Sequence, residues 1–362
     1  MRLVSLLVLL IACMVGCQRR PFLMRGAMNV DGNMRMNGDM NMTGGMAMTG
    51  DMTTSMKTDN TASPLSPVAL SGYVGHGAKV AVVDLDGVIV DRNITGIGSM
   101  GENPVALFRE KLNAIAADTT IDAVVLRINS PGGGVTASDI VSHDLIELKR
   151  KRNLPVVACL MTVGTGGGYY LATHADSVVA HPTSVVGGIG VIMNVYNMED
   201  TMGQFNILSN PIKAGEQIDA GTPERPMGID ERKRLQSIAD AFHDRFIDQV
   251  RQSRSSIDAN EDLFDGRVFT GDEAQSYGLV DHVGYLNDAI IHARQLAGGG
   301  PTGPVVMLRR DNDRAYTTLD VTPNSPLNTS LVPFKLPGLD RSSMPTFLYL
   351  WQPDSSLASV IQ

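Results

Sequence analysis

From residue 79 onward, short apolar runs alternate with helix-like segments and meet at turns dense in glycine. That alternation constrains the fold more than any other feature, because strands connected through helices line up in parallel and are covered by those helices. Strands are expected at 80–84, 123–128, 156–160 and 177–180. Helices are expected at 104–117, 136–151, 167–175 and 230–255, the last with apolar residues at helical spacing. The fold class is α/β. In such a sheet, sites form beyond the carboxyl ends of the strands.

The 362 residues are 43% hydrophobic, enough to bury a sizeable core. The net charge of -8 offers no attractive field to a polyanion, and the one basic cluster is Lys149-Arg150-Lys151-Arg152. It falls where a helix should end and complements the helix dipole there, so nucleic acid is not an expected partner. Of three cysteines, Cys13 and Cys17 lie in the first segment, which leaves Cys159 alone in the body. One cysteine cannot form an internal disulfide, and in an apolar strand it is expected as a buried, inert thiol.

Arg2 followed by apolar residues from Leu3 to Val15 has the charged start and short apolar centre of an export signal, too short to span a bilayer comfortably. Met14-Val15-Gly16-Cys17 resembles a bacterial lipobox, which makes Cys17 the expected lipidation site and 1–17 the signal. Leu10-Ile11-Ala12-Cys13 fits the same pattern with a shorter apolar core, and an ordinary secretory signal is the remaining alternative. Gln18 is not the aspartate associated with inner-membrane retention, so the expected location is the periplasmic side of the cell envelope, with the outer membrane preferred.

Residues 18–74 are expected to tether lipid to domain, since they hold few large aliphatic side chains and much Gly, Asn, Asp and Thr. A near-repeat of six residues places methionines in pairs: Met34 and Met36, Met40 and Met42, Met46 and Met48. The plain reading is a solvated linker. Paired thioethers also suit Cu(I) or Ag(I), a binding mode decided by titrating a peptide of residues 34–56 with Cu(I), and sulfoxide formation is a third use.

Two strand-to-helix turns carry the remaining functional signal. The first reads Arg127-Ile128-Asn129-Ser130-Pro131-Gly132-Gly133-Gly134, the second Val163-Gly164-Thr165-Gly166-Gly167-Gly168-Tyr169-Tyr170. Glycine leaves backbone N–H groups uncovered, so Gly132, Gly133 and Gly167 are candidate donors to a peptide carbonyl or an oxyanion. In this order, the turns resemble those of the signal peptide peptidase A family, serine peptidases of the ClpP/crotonase-like fold. Four stretches carry the resemblance: RINSPGGGVTAS at 127–138, GGYYLATHA at 167–175, VVGGIGVI at 185–192 and GRVFTGDEAQSYGLVDHVG at 266–284. It implies parallel sheets of repeated ββα units with flanking helices over about 80–296, a domain at 75–297 and an extension at 298–362.

The family uses a serine nucleophile and a lysine general base. The residue before Gly-Gly-Tyr-Tyr, the family's nucleophile position, is Gly166 here. In 211–219, reading PIKAGEQID, the family's catalytic lysine position is Ile218, and the serine of its Gly-Ser-Ile-Gly segment is Gly188. No catalytic pair is intact. Thr165 and Lys213 are the candidate substitutes, while Ser130 and Ser184 read as turn residues and His174 and His181 as packing or surface residues. The resemblance implies a peptide-binding or scaffolding pseudopeptidase with no cofactor. Its partners would be peptides or signal-peptide remnants, the membrane through a lipid, and a ring of like chains or of active paralogues. The alternative is an active membrane-bound peptidase that degrades signal peptides through substitute residues. The extension ends in an apolar cluster at 347–351, expected to pack on the domain or on a neighbour.

Overall fold

A computed structural model describes residues 63–94, 101–254, 257, 261–311, 313, 315–324 and 347–351, all within the unit Asp59–Gln362. The expected export signal, Cys13, Cys17 and the methionine pairs from Met34 to Met48 lie outside the described residues. In chain order the strands are β1 (Ser66–Ala69), β2 (Val80–Asp86), β3 (Ala123–Ser130), β4 (Gly132–Gly134), β5 (Val156–Thr165), β6 (Ser177–Ala180), β7 (Val185–Gly187), β8 (Val268–Thr270), β9 (His282–Val283), β10 (Val305–Arg309) and β11 (Leu348–Leu350). The helices are α1 (Pro104–Ala117), α2 (Val135–Arg152), α3 (Gly167–Ala172), α4 (Glu199–Gln204), α5 (Ile229–Ser253), α6 (Gly271–Ser276) and α7 (Leu286–Leu296).

The four expected strands are all present and form the middle of a sheet ordered β1-β10-β2-β3-β5-β6-β9. Every pairing from β10 through β9 is parallel, and β1 closes one edge antiparallel to β10. Parallel sheets are stable when both faces are covered. Ala81, Val83 and Leu85 of β2 join one core with α1, α2 and α3, while Val80 and Val82 join a second core under Leu286, Ala289, Ile290 and Ala293 of α7. This is the period-2 alternation of a strand sandwiched between helical layers.

Beside the candidate turns the sheet divides. The first half of β5 pairs with β6 from Val157 to Leu160, and its second half leaves that neighbour to pair with β7 from Val163 to Thr165. The β3–β5 register shifts between Ile128 and Ser130, where Asn129 accepts from the Val163 amide through Oδ1 and donates to Asp86 through Nδ2. One side chain thus fills the gap left in the ladder.

Helix boundaries follow their caps. Asn103 accepts from the amides of Val105 (2.9 Å) and Ala106 (3.2 Å), with Pro104 at the first helical position of α1. Helix α3 stops at Ala172, short of the expected 175, because the amides of His174 and Ala175 reach back only three residues, to Leu171 and Ala172. The basic run ending α2 does more than face a dipole. Arg152 donates to the carbonyls of Ile115, Ala116, Asp118 and Ile121, and Lys149 donates to the His174 carbonyl and to Asp176. The long helix α5 buries only Glu231, Phe246 and Val250, so its last turns alone reach the core.

Two segments expected outside the domain belong to it. Ser66–Ala69, placed in the tether, pairs with Val305–Arg309, placed in the extension, and β10 then continues the sheet beside β2. A buried ion cluster fixes this edge. Asp84 accepts from Lys111 (2.7 Å), Arg309 (3.4 Å) and the Thr322 amide (2.7 Å). Burial alone would raise the Asp84 carboxyl, but Lys111 and Arg309 hold it well below the usual carboxylate range.

Candidate functional site

The first turn is held from within and from both sides. Ser130 Oγ accepts from the Gly132 amide at 3.1 Å, the backbone-satisfying role expected of it. On one side of β4, the Ile89 amide donates to Gly132 and the Gly134 amide donates to Ile89, each at 3.0 Å. On the other side lies β11, antiparallel, with Leu348 opposite Gly134, Tyr349 opposite Gly133 and Leu350 opposite Gly132. The far edge of β11 exchanges two hydrogen bonds with Ile192, at 2.9 and 3.0 Å. Residues 347–351 therefore run as an extended strand through a groove between β4 and Ile192.

Side chains of this strand alternate. Leu348 and Leu350 pack with Val88 and Val90. Tyr349 points the opposite way and is fully buried, its ring 4.8 Å from that of Phe246 and 5.4 Å from that of Tyr170. Its hydroxyl donates to the Phe242 carbonyl at 2.7 Å, and burial raises its pKa. Tyr170 in turn donates to Asp139, which also accepts from Arg245.

Gly166, between β5 and α3, has φ 51° and ψ −125°, a left-handed conformation costly for any residue with a Cβ. Its amide donates to Gly187 and its carbonyl accepts from Tyr170. A Cβ built there would lie 2.3 Å from the Tyr349 carbonyl oxygen, 2.7 Å from its carbon and 3.1 Å from the Leu350 nitrogen. The residue expected at the nucleophile position thus faces the Tyr349–Leu350 peptide bond with hydrogen atoms alone. Gly132, with φ +108°, approaches the same carbonyl so closely that a Cβ would sit 1.9 Å from the oxygen. Beside Gly167, a Cβ would sit 2.1 Å from Ser138 Oγ, a buried hydroxyl without a hydrogen-bond partner. Gly188 lies between Thr165 and Trp351.

The remaining candidates are scattered. Ile218 is 73% exposed, on a segment where Phe205, Ile207, Leu208 and Ile212 are also exposed. Thr165 is fully buried and its hydroxyl has no partner, whereas Lys213 donates to both oxygens of Asp219, at 2.8 and 2.9 Å. Arg225 and Lys213 hold the Asp219 carboxyl well below its usual range. Ser184 caps the carbonyls of Leu160 and Met161, and His174 packs its ring against Tyr170 with its pKa lowered by burial. Burial pushes the Cys159 thiol up to about 12, as suits an inert core cysteine. Among the described residues no group of three or more His, Cys, Asp or Glu is placed to hold a metal, and no helix is long and apolar enough to cross a membrane.

The sequence located both glycine turns and led to the expectation that 347–351 packs on the domain or on a neighbour; the structure packs it on the domain, across those turns. The available signal was the run Phe347-Leu348-Tyr349-Leu350-Trp351, apolar within an extension rich in Pro, Ser and Thr.

Residues 148–299 match the model of peptidase family S49. A presumptive protease of Methanocaldococcus jannaschii is 34% identical over 242 residues, covering 65% of this chain and 77% of that one. Protease 4 of Salmonella typhi is 28% identical over 244 residues, 67% of this chain and 38% of that one. The chloroplast serine protease SPPA of Arabidopsis thaliana is 33% identical over 190 residues, 52% of this chain and 28% of that one. A relative in Enterococcus faecium is matched over 62% of its length, so the chain spans less than two thirds of several of these proteins. Among solved structures, the 1510-N membrane-bound stomatin-specific protease aligns over 61% of this chain and 86% of its own at a TM-score of 0.37 and 13% identity.

Proposed function

We propose, from the premise that this chain belongs to the signal peptide peptidase A family of serine peptidases, family S49, that its domain holds extended peptides without cutting them. The observation that carries this reading is Gly166: the residue facing the peptide carbonyl in the groove supplies no oxygen to attack it. The base position supports it too, since Ile218 points a hydrocarbon into solvent. The groove keeps what binding needs, namely backbone edges on β4 and at Ile192 and an apolar pocket for a side chain.

Thr165 and Lys213, the substitutes an active peptidase would need, are poorly placed. The threonine hydroxyl has no hydrogen-bond partner, and the lysine amine donates to both oxygens of Asp219 instead of to a hydroxyl. Anchorage through a lipid on Cys17 on the periplasmic side of the envelope, with the outer membrane preferred, completes the proposal. Each buried methylene of an acyl chain adds about 0.8 kcal/mol, and several chains hold stably. The exposed apolar side chains around Ile218 favour assembly with like chains or active paralogues, in which a neighbour would cover them.

The test is a fluorophosphonate probe on the purified chain. The unmodified protein stays unlabelled. Labelling of the unmodified chain that disappears in Thr165→Val would overturn the proposal in favour of an active peptidase. Palmitate incorporation that is lost in Cys17→Ser and kept in Cys13→Ser checks the anchor.

A further inference from the structure

We infer that His282 and His292 form a two-imidazole site for a divalent transition-metal ion, Zn2+ or Cu2+, between the last strand of the sheet and the helix that covers it. The site is separate from the peptide groove and does not depend on what that groove does.

The fold brings the two rings together from fixed elements. β9 is the outermost strand on its side of the sheet, and His282 lies opposite Val179 in the parallel ladder with β6. Residues paired across a ladder share a face. Val179 belongs to the core under α7, so His282 lies on the α7 side of the sheet. On α7, His292 flanks the buried stripe formed by Leu286, Ala289, Ile290 and Ala293. Only Gly284 and Tyr285 join the strand to the helix. That joint is held by the Gly284 amide, which donates to the Ala180 carbonyl at 2.9 Å, and by the Tyr285 amide, which donates to Asp288 at 2.8 Å. His282 is exposed and His292 half-buried, so an ion reaches both from solvent while the backbone keeps them in place.

The spacing of the rings fits one ion. A metal–nitrogen distance of about 2.0–2.1 Å puts the centre of an imidazole about 3.2 Å from the metal, and a tetrahedral angle then separates two such centres by about 5.2 Å. The ring centres of His282 and His292 are 5.1 Å apart. They meet edge to face at 79°, and the broad χ2 torsion of histidine lets each ring turn a nitrogen toward the ion without moving the backbone.

The donor set decides the class of ion. Imidazole suits Zn2+, Cu2+ and Ni2+, whereas Mg2+ and Ca2+ take oxygen ligands. The neighbouring carboxylates have other work: Asp281 accepts from Arg254 and from the Val178 amide, and Asp288 accepts from the Tyr285 amide. They add negative charge near the pair. Two protein ligands leave the rest of the coordination shell to water or to donors of a bound molecule. An ion held there would cross-link the two-residue edge strand to its helix.

The experiment uses the full chain carrying Cys13→Ser and Cys17→Ser, so that no thiol outside the core competes, with ZnCl2 and CuSO4 as probes. The thioethers of the methionine pairs favour Cu(I) and do not compete for Zn2+. Loss of a mere hydrogen-bond partner of a ligand costs about 10–100-fold in metal affinity, so loss of a ligand should cost at least about tenfold. In calorimetric titration, His282→Asn and His292→Asn should each weaken Zn2+ binding by at least about tenfold, while His76→Asn, at an exposed histidine elsewhere, should leave it unchanged. Zn2+ should raise the melting temperature of the parent chain, and Mg2+ at the same concentration should not. Electron paramagnetic resonance of bound Cu2+ needs no variant, and should show coupling to the nitrogens of two imidazoles. Coupling to fewer than two, Zn2+ uptake no tighter than millimolar, or equal affinity in His282→Asn, His292→Asn and the parent overturns the inference. So does an effect of Mg2+ equal to that of Zn2+, which would assign the binding to carboxylates.

Discussion

Replacing Gly166 by serine would supply the hydroxyl that the proposed reading finds missing, and the structure sets what that should do to stability. At φ 51° and ψ −125° a residue with a Cβ costs about 1–3 kcal/mol in backbone strain. The new Cβ would lie 2.3 Å from the Tyr349 oxygen and 2.7 Å from its carbon, both backbone atoms that no rotamer change can move. The strand must shift or leave its seat. Withdrawing a fully buried aromatic side chain such as Tyr349 costs on the order of 3–5 kcal/mol, the range for removing a buried Phe or Trp side chain. Gly166→Ser is therefore expected to lose about 1–3 kcal/mol if the strand merely shifts and roughly 4–8 kcal/mol if it is expelled. Urea denaturation followed by circular dichroism measures the loss, and Trp351 emission tells the two cases apart, since expulsion shifts it to the red and lowers the m-value through surface already exposed. An unchanged midpoint together with unchanged Trp351 emission would refute the placement of Tyr349 over Gly166.

Three further outcomes follow from the rest of the fold. Lys111→Met leaves Asp84 buried with Arg309 as its one remaining cationic partner among the described residues and should cost about 3–5 kcal/mol in urea, as expected when one member of a buried ion pair is removed. Because the folded pKa of Asp84 lies below its ordinary value of 3.8, its stabilising contribution is complete above that pH and drains away as pH falls further; acid titration of the unmodified chain should show this loss below about pH 4, and Asp84→Asn should show a smaller one. In a chain carrying Cys13→Ser and Cys17→Ser, Cys159 should resist iodoacetamide at pH 8 and react only after unfolding, since its thiol is held up to about 12; rapid modification of the folded chain would contradict its burial.

The sequence by itself determined the centre of the sheet and the residue identities at the two glycine turns. Strands β2, β3, β5 and β6 were legible because each is a run of apolar residues bounded by turn residues, a signal contained in a few consecutive positions. The glycine at 166 and the isoleucine at 218 were legible for the same reason, as identities at fixed places within motifs. Only the tertiary structure decided which strands border the centre of the sheet and what fills its groove. Ser66 meets Arg309 across 243 positions of chain, and strands as short as β1, β10 and β11 carry no local pattern that names a partner so distant. The seat of Tyr349 depends on clearances at Gly132 and Gly166, on the ring of Phe246 and on the carbonyl of Phe242. Those groups lie far apart in the chain and become one site only after the sheet has formed, because a pocket is a property of surfaces brought together and not of any stretch of residues.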